Sequence, residues 1–266
     1  VLPDLLRRLG VEEVIELYTE PTGLFPHNPE PLPENLTDIS AKMKEAGAHV
    51  GFVVDPDVDR LAIVCEDGSM FGEEYTLVAV SDFVLGRTPG NTASNMSSSR
   101  ALRDVTLKHG KSYFPSAVGE VNVVEAMKAN DCVIGGEGNG GVIYPALHYG
   151  RDALVGVALF LTHLAESGLS CSQLRATYPE YHISKNKMEL PEGTDADALL
   201  AGFEKANAEF EVNTIDGVKV DRPEGWVHLR RSNTEPIIRL YAEAASMEEA
   251  TRLAGEAKET LARLLQ

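Results

Sequence analysis

The sequence has few cysteines, no basic run and no long apolar stretch. Its formal net charge is -17, and no lysine- or arginine-rich segment offsets it, so nucleic acid and membranes are not expected partners. Three cysteines lie scattered in apolar contexts, at Cys65, Cys132 and Cys171. Neither a disulfide framework nor a zinc site is therefore expected, and each cysteine should be a small core residue. No signal peptide or membrane-spanning segment is recognisable, which favours a reducing, cytoplasmic setting.

Strand-like and helix-like segments alternate over the first two thirds of the chain. This alternation predicts two related α/β domains with largely parallel sheets, over residues 1–87 and 88–185, with one strand expected at Val14 to Tyr18. Over residues 186–266, strands precede one long helix, Met247 to Leu265. That order predicts a small α+β domain at the end of the chain.

Three carboxylates at alternate positions lie between two apolar, strand-like stretches. They belong to the run Asp55-Pro56-Asp57-Val58-Asp59-Arg60. Like charges so close together resist burial, whereas a hard divalent cation binds several carboxylate oxygens at once. The run therefore predicts a metal site on Asp55, Asp57 and Asp59, with a solvated acidic turn as the alternative. An EF-hand loop does not fit, because its sixth position requires glycine and this chain has Arg60. A phosphatase with an aspartyl nucleophile is a further rival, since a DxD pattern is not specific.

A glycine-rich loop follows in the second predicted domain, at Gly135-Gly136-Glu137-Gly138-Asn139-Gly140-Gly141. It lacks both the register of a dinucleotide-binding loop and the Lys-Ser/Thr pair of a Walker loop. Glycines let the backbone approach a ligand closely, while Glu137 and Asn139 offer a carboxylate and a carboxamide. These two groups suit vicinal hydroxyls, so the loop indicates either a sugar site or a flexible hairpin.

A polar turn lies in the third predicted domain. Its sequence is Arg230-Arg231-Ser232-Asn233-Thr234-Glu235-Pro236, with Arg239 just beyond. Arginine forks and closely spaced hydroxyl, amide and backbone donors match phosphate oxygens. We interpret the turn as a phosphate site, and an arginine-bearing surface turn is the alternative.

In this order, the three loops resemble those of the α-D-phosphohexomutase superfamily, the phosphoglucosamine mutases, phosphomannomutases and phosphoglucomutases. The resemblance runs collinearly over essentially the whole chain. It implies a four-domain protein of which this chain forms the last three. The second and third domains would be two related three-layer α/β domains with mixed sheets, and the fourth a TBP-like α+β domain. The resemblance also implies that the catalytic phosphoserine lies in an N-terminal domain of the same polypeptide. Since an amphipathic helix starts directly after Val1, we expect the chain to begin inside a domain and to lack that serine.

The resemblance implies reversible phosphate transfer between the 1- and 6-positions of a hexose through a bisphosphate. Glucosamine phosphate is the expected substrate; a phosphomannomutase or phosphoglucomutase, or a non-catalytic sugar-phosphate-binding module, is the alternative. Mg²⁺ would be the cofactor on Asp55, Asp57 and Asp59, and Arg60 would help hold the transferring group. The sugar would contact Glu137 and Asn139. The second phosphate would contact Arg230, Ser232, Asn233 and Thr234. Without the serine domain, the chain alone is expected to be inactive.

Two departures from the family pattern concern proton transfer. Many members have a Gly-His pair where this chain has Gly119-Glu120, and a histidine usually follows the sugar loop where this chain has Gly141. Glu120 is therefore the candidate general acid/base, although it could equally be a carboxylate that stabilises a helix N-terminus.

Ser94 echoes the serine motif without its continuation and is interpreted as structural. His148, Arg151 and Asp152 follow the sugar loop, where they could help orient phosphate. Asp152 is more simply explained as the N-cap of the next helix.

Overall fold

The computed structural model describes residues 1–232 and 235–265. The α-helices span Leu2–Arg8 (α1), Thr37–Ala46 (α2), Glu73–Leu85 (α3), Ala101–Lys108 (α4), Glu120–Ala129 (α5), Ala153–Ser167 (α6), Cys171–Arg175 (α7), Ala196–Ala206 (α8) and Met247–Leu264 (α9). The strands span Val50–Val54 (β1), Leu61–Cys65 (β2), Asn91–Asn95 (β3), Tyr113–Ser116 (β4), Cys132–Glu137 (β5), Gly141–Ile143 (β6), His182–Glu189 (β7), Glu211–Asn213 (β8), Val218–Asp221 (β9), Gly225–Arg231 (β10) and Ile237–Ala244 (β11).

These elements form two compact units. The first consists of Val1–Pro115 with Gly119–Pro179, and the second of Ser116–Val118 with Glu180–Gln266. Helices and strands follow one another along the chain, and the strands form several sheets, so the predicted mixed α/β class is confirmed. The predicted domain boundaries near residues 87 and 185 stay predictions. Among the described helices, none combines the length and the apolarity needed to cross a lipid bilayer.

The first unit contains an antiparallel hairpin and a four-stranded mixed sheet. The hairpin pairs β1 with β2, and Val54 lies opposite Leu61, so the acidic loop joins two paired strands. The sheet has the order β4-β3-β5-β6, with β3 and β5 parallel and β5 and β6 antiparallel. Helix α3 lies in the core, because it is apolar on nearly every side, and most of its residues between Tyr75 and Leu85 are buried.

Helix α6 starts where the sequence predicts a cap. The Asp152 carboxylate accepts hydrogen bonds from the backbone N–H groups of Leu154 (2.8 Å) and Val155 (3.0 Å). It thereby satisfies two of the donors that every helix leaves open at its first turn. The predicted N-cap is confirmed, and it fixes the position of the residue before it, Arg151.

The second unit is a five-stranded antiparallel sheet covered by helices. Its strand order is β7-β11-β10-β9-β8. One face packs on α8 and α9 through a core that includes Phe203, Leu229, Leu240 and Leu253. Side chains alternate along each strand, so Arg230, next to Leu229, belongs to the other face of the sheet.

One strand expected from the sequence is not formed, and two observed strands, β7 and β8, were not expected. The strand expected at Val14 to Tyr18 is wrong, because this segment forms no ladder and Tyr18 takes a positive φ of 56°. Its polar groups are engaged locally instead, as when Thr19 Oγ1 donates to Glu16 Oε2 at 2.9 Å. The three cysteines are buried and unpaired, which confirms their prediction as core residues.

Candidate functional site

The acidic loop is a tight turn closed by its own backbone. Val58 N donates to Asp55 O at 3.0 Å, and Val58 has a φ of 61°. A β-branched residue rarely adopts this left-handed conformation, so the loop stores local strain. Asp55 is 3% exposed. Its Oδ1 accepts from the backbone N–H groups of Asp59 and Arg60, both at 3.0 Å. Asp55 therefore organises the loop from within.

The structure brings the three predicted metal ligands together. Asp55, Asp57 and Asp59 each offer an oxygen, and these atoms lie within 4.8 Å of one another. Burial and the nearby charges of Asp55 and Asp57 raise the pKa of Asp59, despite the attraction of Arg151. Asp59 Oδ1 is buried and accepts no hydrogen bond within the described part of the chain. An oxygen in this state is suited to a cation.

Arg60 neutralises part of this negative charge. Its Nε donates to Asp55 Oδ2 at 2.6 Å and its Nη1 to Glu30 Oε2 at 2.9 Å. Burial by itself lowers the pKa of Arg60, but the bonds to both carboxylates outweigh burial and raise it. The same arginine holds the pKa of the Asp55 carboxyl below its usual value against the opposing effect of burial. The guanidinium is thus fixed beside the three aspartates.

The acidic loop is anchored to the glycine-rich loop and to α6. Leu61 N donates to Gly140 O at 3.0 Å, and Ala153 N donates to Val58 O at 3.0 Å. Arg60 and Gly141 form an isolated antiparallel bridge. Two loops that are far apart in sequence therefore share backbone hydrogen bonds and form one surface.

The glycine-rich loop is a β-hairpin made by β5 and β6, with Glu137 paired to Gly141. Glu137 is 5% exposed. Its Oε1 accepts from Asn95 Nδ2 at 2.8 Å and from Gly119 N at 3.1 Å. Asn139 is half-buried, and its Oδ1 accepts from Gly141 N at 3.2 Å. The loop thus forms a hairpin in which both predicted sugar-contacting side chains are held in hydrogen bonds, and the sugar site stays a prediction.

Glu120 is the first residue of α5 and is half-buried. Its Oε1 accepts from Arg151 N at 3.1 Å, and its Oε2 lies 3.4 Å from Arg151 Nε. A carboxylate in the first turn of a helix favours the helix dipole. Both interpretations of Glu120 are therefore compatible with its position, and its role in proton transfer stays a prediction.

The sequence did not single out Asn95 as a site residue, and it indicated for Arg151 only a role in orienting phosphate, without the contacts that the structure shows. Arg151 Nη1 donates to Glu137 Oε2 at 2.8 Å, and its Nη2 forms a short hydrogen bond to Asp59 Oδ2. Asn95 supports the other oxygen of Glu137. The only available signal was their position: Asn95 is the last residue of β3, and Arg151 directly precedes the N-cap of α6. Ser94 is fully buried in β3, and its Oγ lies 3.0 Å from Tyr113 Oη, as expected of a structural residue.

The predicted phosphate-binding turn lies in the second unit, between β10 and β11. Arg230 Nη1 donates to Asp216 Oδ2 at 3.1 Å, and Ser232 N donates to Ile237 O at 3.0 Å. Asn233 and Thr234 lie outside the described residues. The ladders place Arg230 opposite Arg239, and Arg239 opposite Lys187. Cross-strand like charges repel each other, so this row of three cations indicates a place for an anion.

Comparisons with known proteins agree along the chain. The sequence matches "Phosphoglucomutase/phosphomannomutase, alpha/beta/alpha domain II" over residues 1–68, domain III over residues 72–181, and the C-terminal domain over residues 187–260. A Methanopyrus kandleri protein named "Probable phosphoglucosamine mutase" is 36% identical over 259 residues, which are 96% of this chain and 57% of that protein. The "Phosphoglucomutase/phosphomannomutase" of Thermococcus kodakarensis is 36% identical over 94% of this chain and 55% of its own length.

A solved structure supports the same assignment. The crystal structure of a phosphoglucomutase/phosphomannomutase family protein from Burkholderia thailandensis has a TM-score of 0.81 and 31% identity, and the match covers 94% of this chain and 54% of that one. The chain thus spans a little over half the length of these relatives. Three matched domains in collinear order and a shared fold lead to one conclusion: the chain belongs to the phosphoglucomutase/phosphomannomutase family.

Proposed function

We propose that this chain is the metal-, sugar- and phosphate-binding part of a phosphohexomutase. The reaction would be reversible transfer of phosphate between the 1- and 6-positions of a hexose through a bisphosphate intermediate. Glucosamine phosphate is the proposed substrate, and mannose and glucose phosphates are the rivals. Relatives of equal identity are named as a phosphoglucosamine mutase and as a phosphoglucomutase/phosphomannomutase, so the choice among these sugars needs a binding experiment.

The acidic loop carries the metal part of the proposal. The surrounding cluster contains six carboxylates and two guanidinium groups: Glu30, Asp55, Asp57, Asp59, Glu120 and Glu137, with Arg60 and Arg151. This excess of negative charge, together with the unbonded Oδ1 of Asp59, supports Mg²⁺ as a ligand of the three aspartates. When bound, Mg²⁺ would supply charge neutralisation at a transferring phosphate.

The other proposed roles follow from the same contacts. Arg60, held by Asp55, would keep a positive charge beside the transferring phosphate. Glu137 and Asn139 would orient the sugar hydroxyls. Glu120 would hold or accept a proton at its carboxylate, which is exposed over 36% of its side-chain surface.

Phosphate recognition in the second unit rests on the cation row. Arg230 and Arg239 face each other across β10 and β11, and guanidinium groups bind phosphate oxygens through two parallel hydrogen bonds. The non-reacting phosphate would be held by Arg230 and Ser232, with Asn233 and Thr234 as further proposed contacts.

The partner in catalysis would be an N-terminal domain of the same polypeptide that carries the phosphoserine. A cytoplasmic setting, with no nucleic-acid or membrane partner, stays a prediction from the cysteines and the charge.

Calorimetric titration with Mn²⁺ tests the metal site. We expect binding by the wild-type chain and its loss in the Asp57→Asn/Asp59→Asn double variant. Unchanged Mn²⁺ affinity in that variant would reject the assignment of the aspartates.

Titration with the 6-phosphates of glucosamine, mannose and glucose tests the phosphate site and names the sugar. Arg230→Ala should abolish binding. Arg231→Ala is the matched control, because its side chain belongs to the opposite face of the same strand. Equal losses in both variants would reject Arg230 as a specific contact.

Phosphorus NMR of the complete polypeptide then tests turnover: binding without interconversion of the 1- and 6-phosphates would favour a non-catalytic binding module. The chain alone should show no interconversion.

A further inference from the structure

The side chain of Arg151 bonds both the acidic loop and the glycine-rich loop. Its Nη2 bonds Asp59 Oδ2, and its Nη1 donates to Glu137 Oε2 at 2.8 Å. Its own backbone N–H donates to Glu120 Oε1. One guanidinium thus joins a proposed metal ligand to a proposed sugar contact.

Local structure fixes the place of this arginine. Arg151 forms a bridge with Ile143 at the end of β6, and Asp152 N donates to Val142 O at 2.9 Å. Asp152 then caps α6. With a strand on one side and a capped helix on the other, the backbone of Arg151 has little freedom to move.

The path of the side chain depends on a glycine. A Cβ atom added to Gly141 would lie 2.4 Å from Arg151 Cδ, far inside contact distance. The arginine therefore crosses the hairpin through the space that a side chain at position 141 would fill.

The three side chains are largely withdrawn from water. Exposed fractions are 18% for Arg151, 17% for Asp59 and 6% for Glu137. Removing one partner from a buried group of charges leaves the others uncompensated. The fork of the guanidinium, with Nη1 on Glu137 and Nη2 on Asp59, therefore matters more here than it would on the surface.

This contact leaves the two carboxylate oxygens of Asp59 in different environments. Its Oδ2 is held by Arg151, while its Oδ1 stays buried without a hydrogen bond among the described residues. A ligand oxygen that is oriented through its partner oxygen is the usual arrangement in metal sites, and loss of the orienting group typically weakens metal binding about 10-fold to 100-fold.

We propose that Arg151 is a positioning residue that aims Asp59 Oδ1 at the metal and couples the metal site to the glycine-rich hairpin through Glu137. This inference rests on the proposed metal site. It goes further in making metal affinity depend on two residues, Arg151 and Glu137, that are not metal ligands.

Mn²⁺ affinity of the whole chain, measured by electron paramagnetic resonance, tests the proposal. Arg151→Lys keeps the charge but loses the fork, and Arg151→Gln loses both. We expect both variants to bind Mn²⁺ about 10-fold to 100-fold more weakly. If Arg151 acted only through its positive charge, which repels a cation, Arg151→Gln would bind Mn²⁺ more tightly and Arg151→Lys would match the wild type. That pattern overturns the proposal.

Arg222→Gln is the matched control. Arg222 is also poorly exposed, at 13%, and bonds Glu256 and Asn207, but it lies in the second unit. Its loss should lower stability and leave Mn²⁺ affinity unchanged. Equal weakening of Mn²⁺ binding in Arg222→Gln and Arg151→Lys would show a general effect of stability and overturn the proposal.

A double-mutant cycle tests the coupling to the hairpin. Glu137→Gln should weaken Mn²⁺ binding in the wild-type background and have no further effect beside Arg151→Gln, because residues that act through one contact are not additive. Fully additive effects would reject the coupling. Absence of Mn²⁺ binding by the wild-type chain would refute the metal site and this inference together, whereas wild-type binding that Arg151→Lys leaves intact refutes the inference alone.

Discussion

The Glu66 carboxylate joins the end of β2 to the start of α7, and Glu66→Gln should destabilise the chain in a pH-dependent way. Its Oε1 accepts hydrogen bonds from the hydroxyls of Ser170 (2.6 Å) and Ser172, and its Oε2 accepts from Ser172 N at 3.0 Å. Burial by itself raises the pKa of Glu66, but these hydrogen bonds outweigh burial and lower it from 4.5 to about 2.

The magnitude follows from the linkage between protonation and folding. A fall in pKa from 4.5 to about 2 corresponds to at most ~3 kcal/mol in favour of the charged form. Glu66 is partly exposed, and water screens such contacts, so we expect Glu66→Gln to lower the free energy of unfolding by about 2 kcal/mol near neutral pH. Because the folded pKa lies below the unfolded one, this stabilisation is complete above roughly pH 5 and disappears as the pH falls toward 2.

Urea denaturation near pH 7 and near pH 3.5 measures the effect. The difference between wild type and Glu66→Gln should be largest near neutrality and should shrink in acid. The control is Glu45→Gln, since Glu45 is 72% exposed and pairs only with Lys42 among the described ion pairs. Its change should stay below ~0.5 kcal/mol. A difference that is independent of pH, or equal in both variants, would refute the reasoning.

Three further predictions concern single positions. Gly136→Ala should lower the free energy of unfolding, measured by thermal denaturation, by about 2 kcal/mol or more, because a Cβ there would lie 2.0 Å from Gly141 O in the hairpin. Gly255→Ala, with nothing within 4 Å of its Cβ, should be neutral or stabilising, and a similar loss in both variants would contradict the steric argument. Burial lowers the pKa of His228 to about 4, so in NMR titrations of the folded chain its imidazole should stay neutral well below pH 6.5, and the free energy of unfolding should fall as the pH drops from about 6.5 to about 4. A ring that titrates near pH 6.5 in the folded chain would contradict this. Burial raises the pKa of Cys132 to about 12, so mass spectrometry should find it alkylated at neutral pH only after denaturation, and rapid native labelling would count against it.

The parts of the site that the sequence predicted are those encoded within a few residues. Asp55, Asp57 and Asp59 lie in one loop, so their spacing alone brings their oxygens together, as the structure confirms. The contacts of Arg151 were not predicted, because its partners are 92 residues away at Asp59 and 14 residues away at Glu137. Only the packing of α6 against the hairpin makes these contacts, and no local pattern records it.

The errors in the fold have a related origin. Strands β7 and β8 were not predicted, and both lie at the edges of the five-stranded sheet. Edge strands have one neighbour and fewer apolar side chains, so their alternation is weak. The opposite error, at Val14 to Tyr18, is a largely apolar segment without a partner strand among the described residues. Residues that favour strands show that a segment could pair, and tertiary structure decides whether it does.

The shared volume of Gly141 and Arg151 has an evolutionary consequence. Since a side chain at position 141 would overlap Arg151 Cδ, position 141 should stay glycine as long as the arginine keeps this path. The constraint runs one way, because a smaller residue at position 151 creates no overlap with Gly141. A relative with a histidine after the glycine-rich hairpin should therefore carry its arginine on another path, or carry another residue there and lack the direct side-chain bond between the two loops.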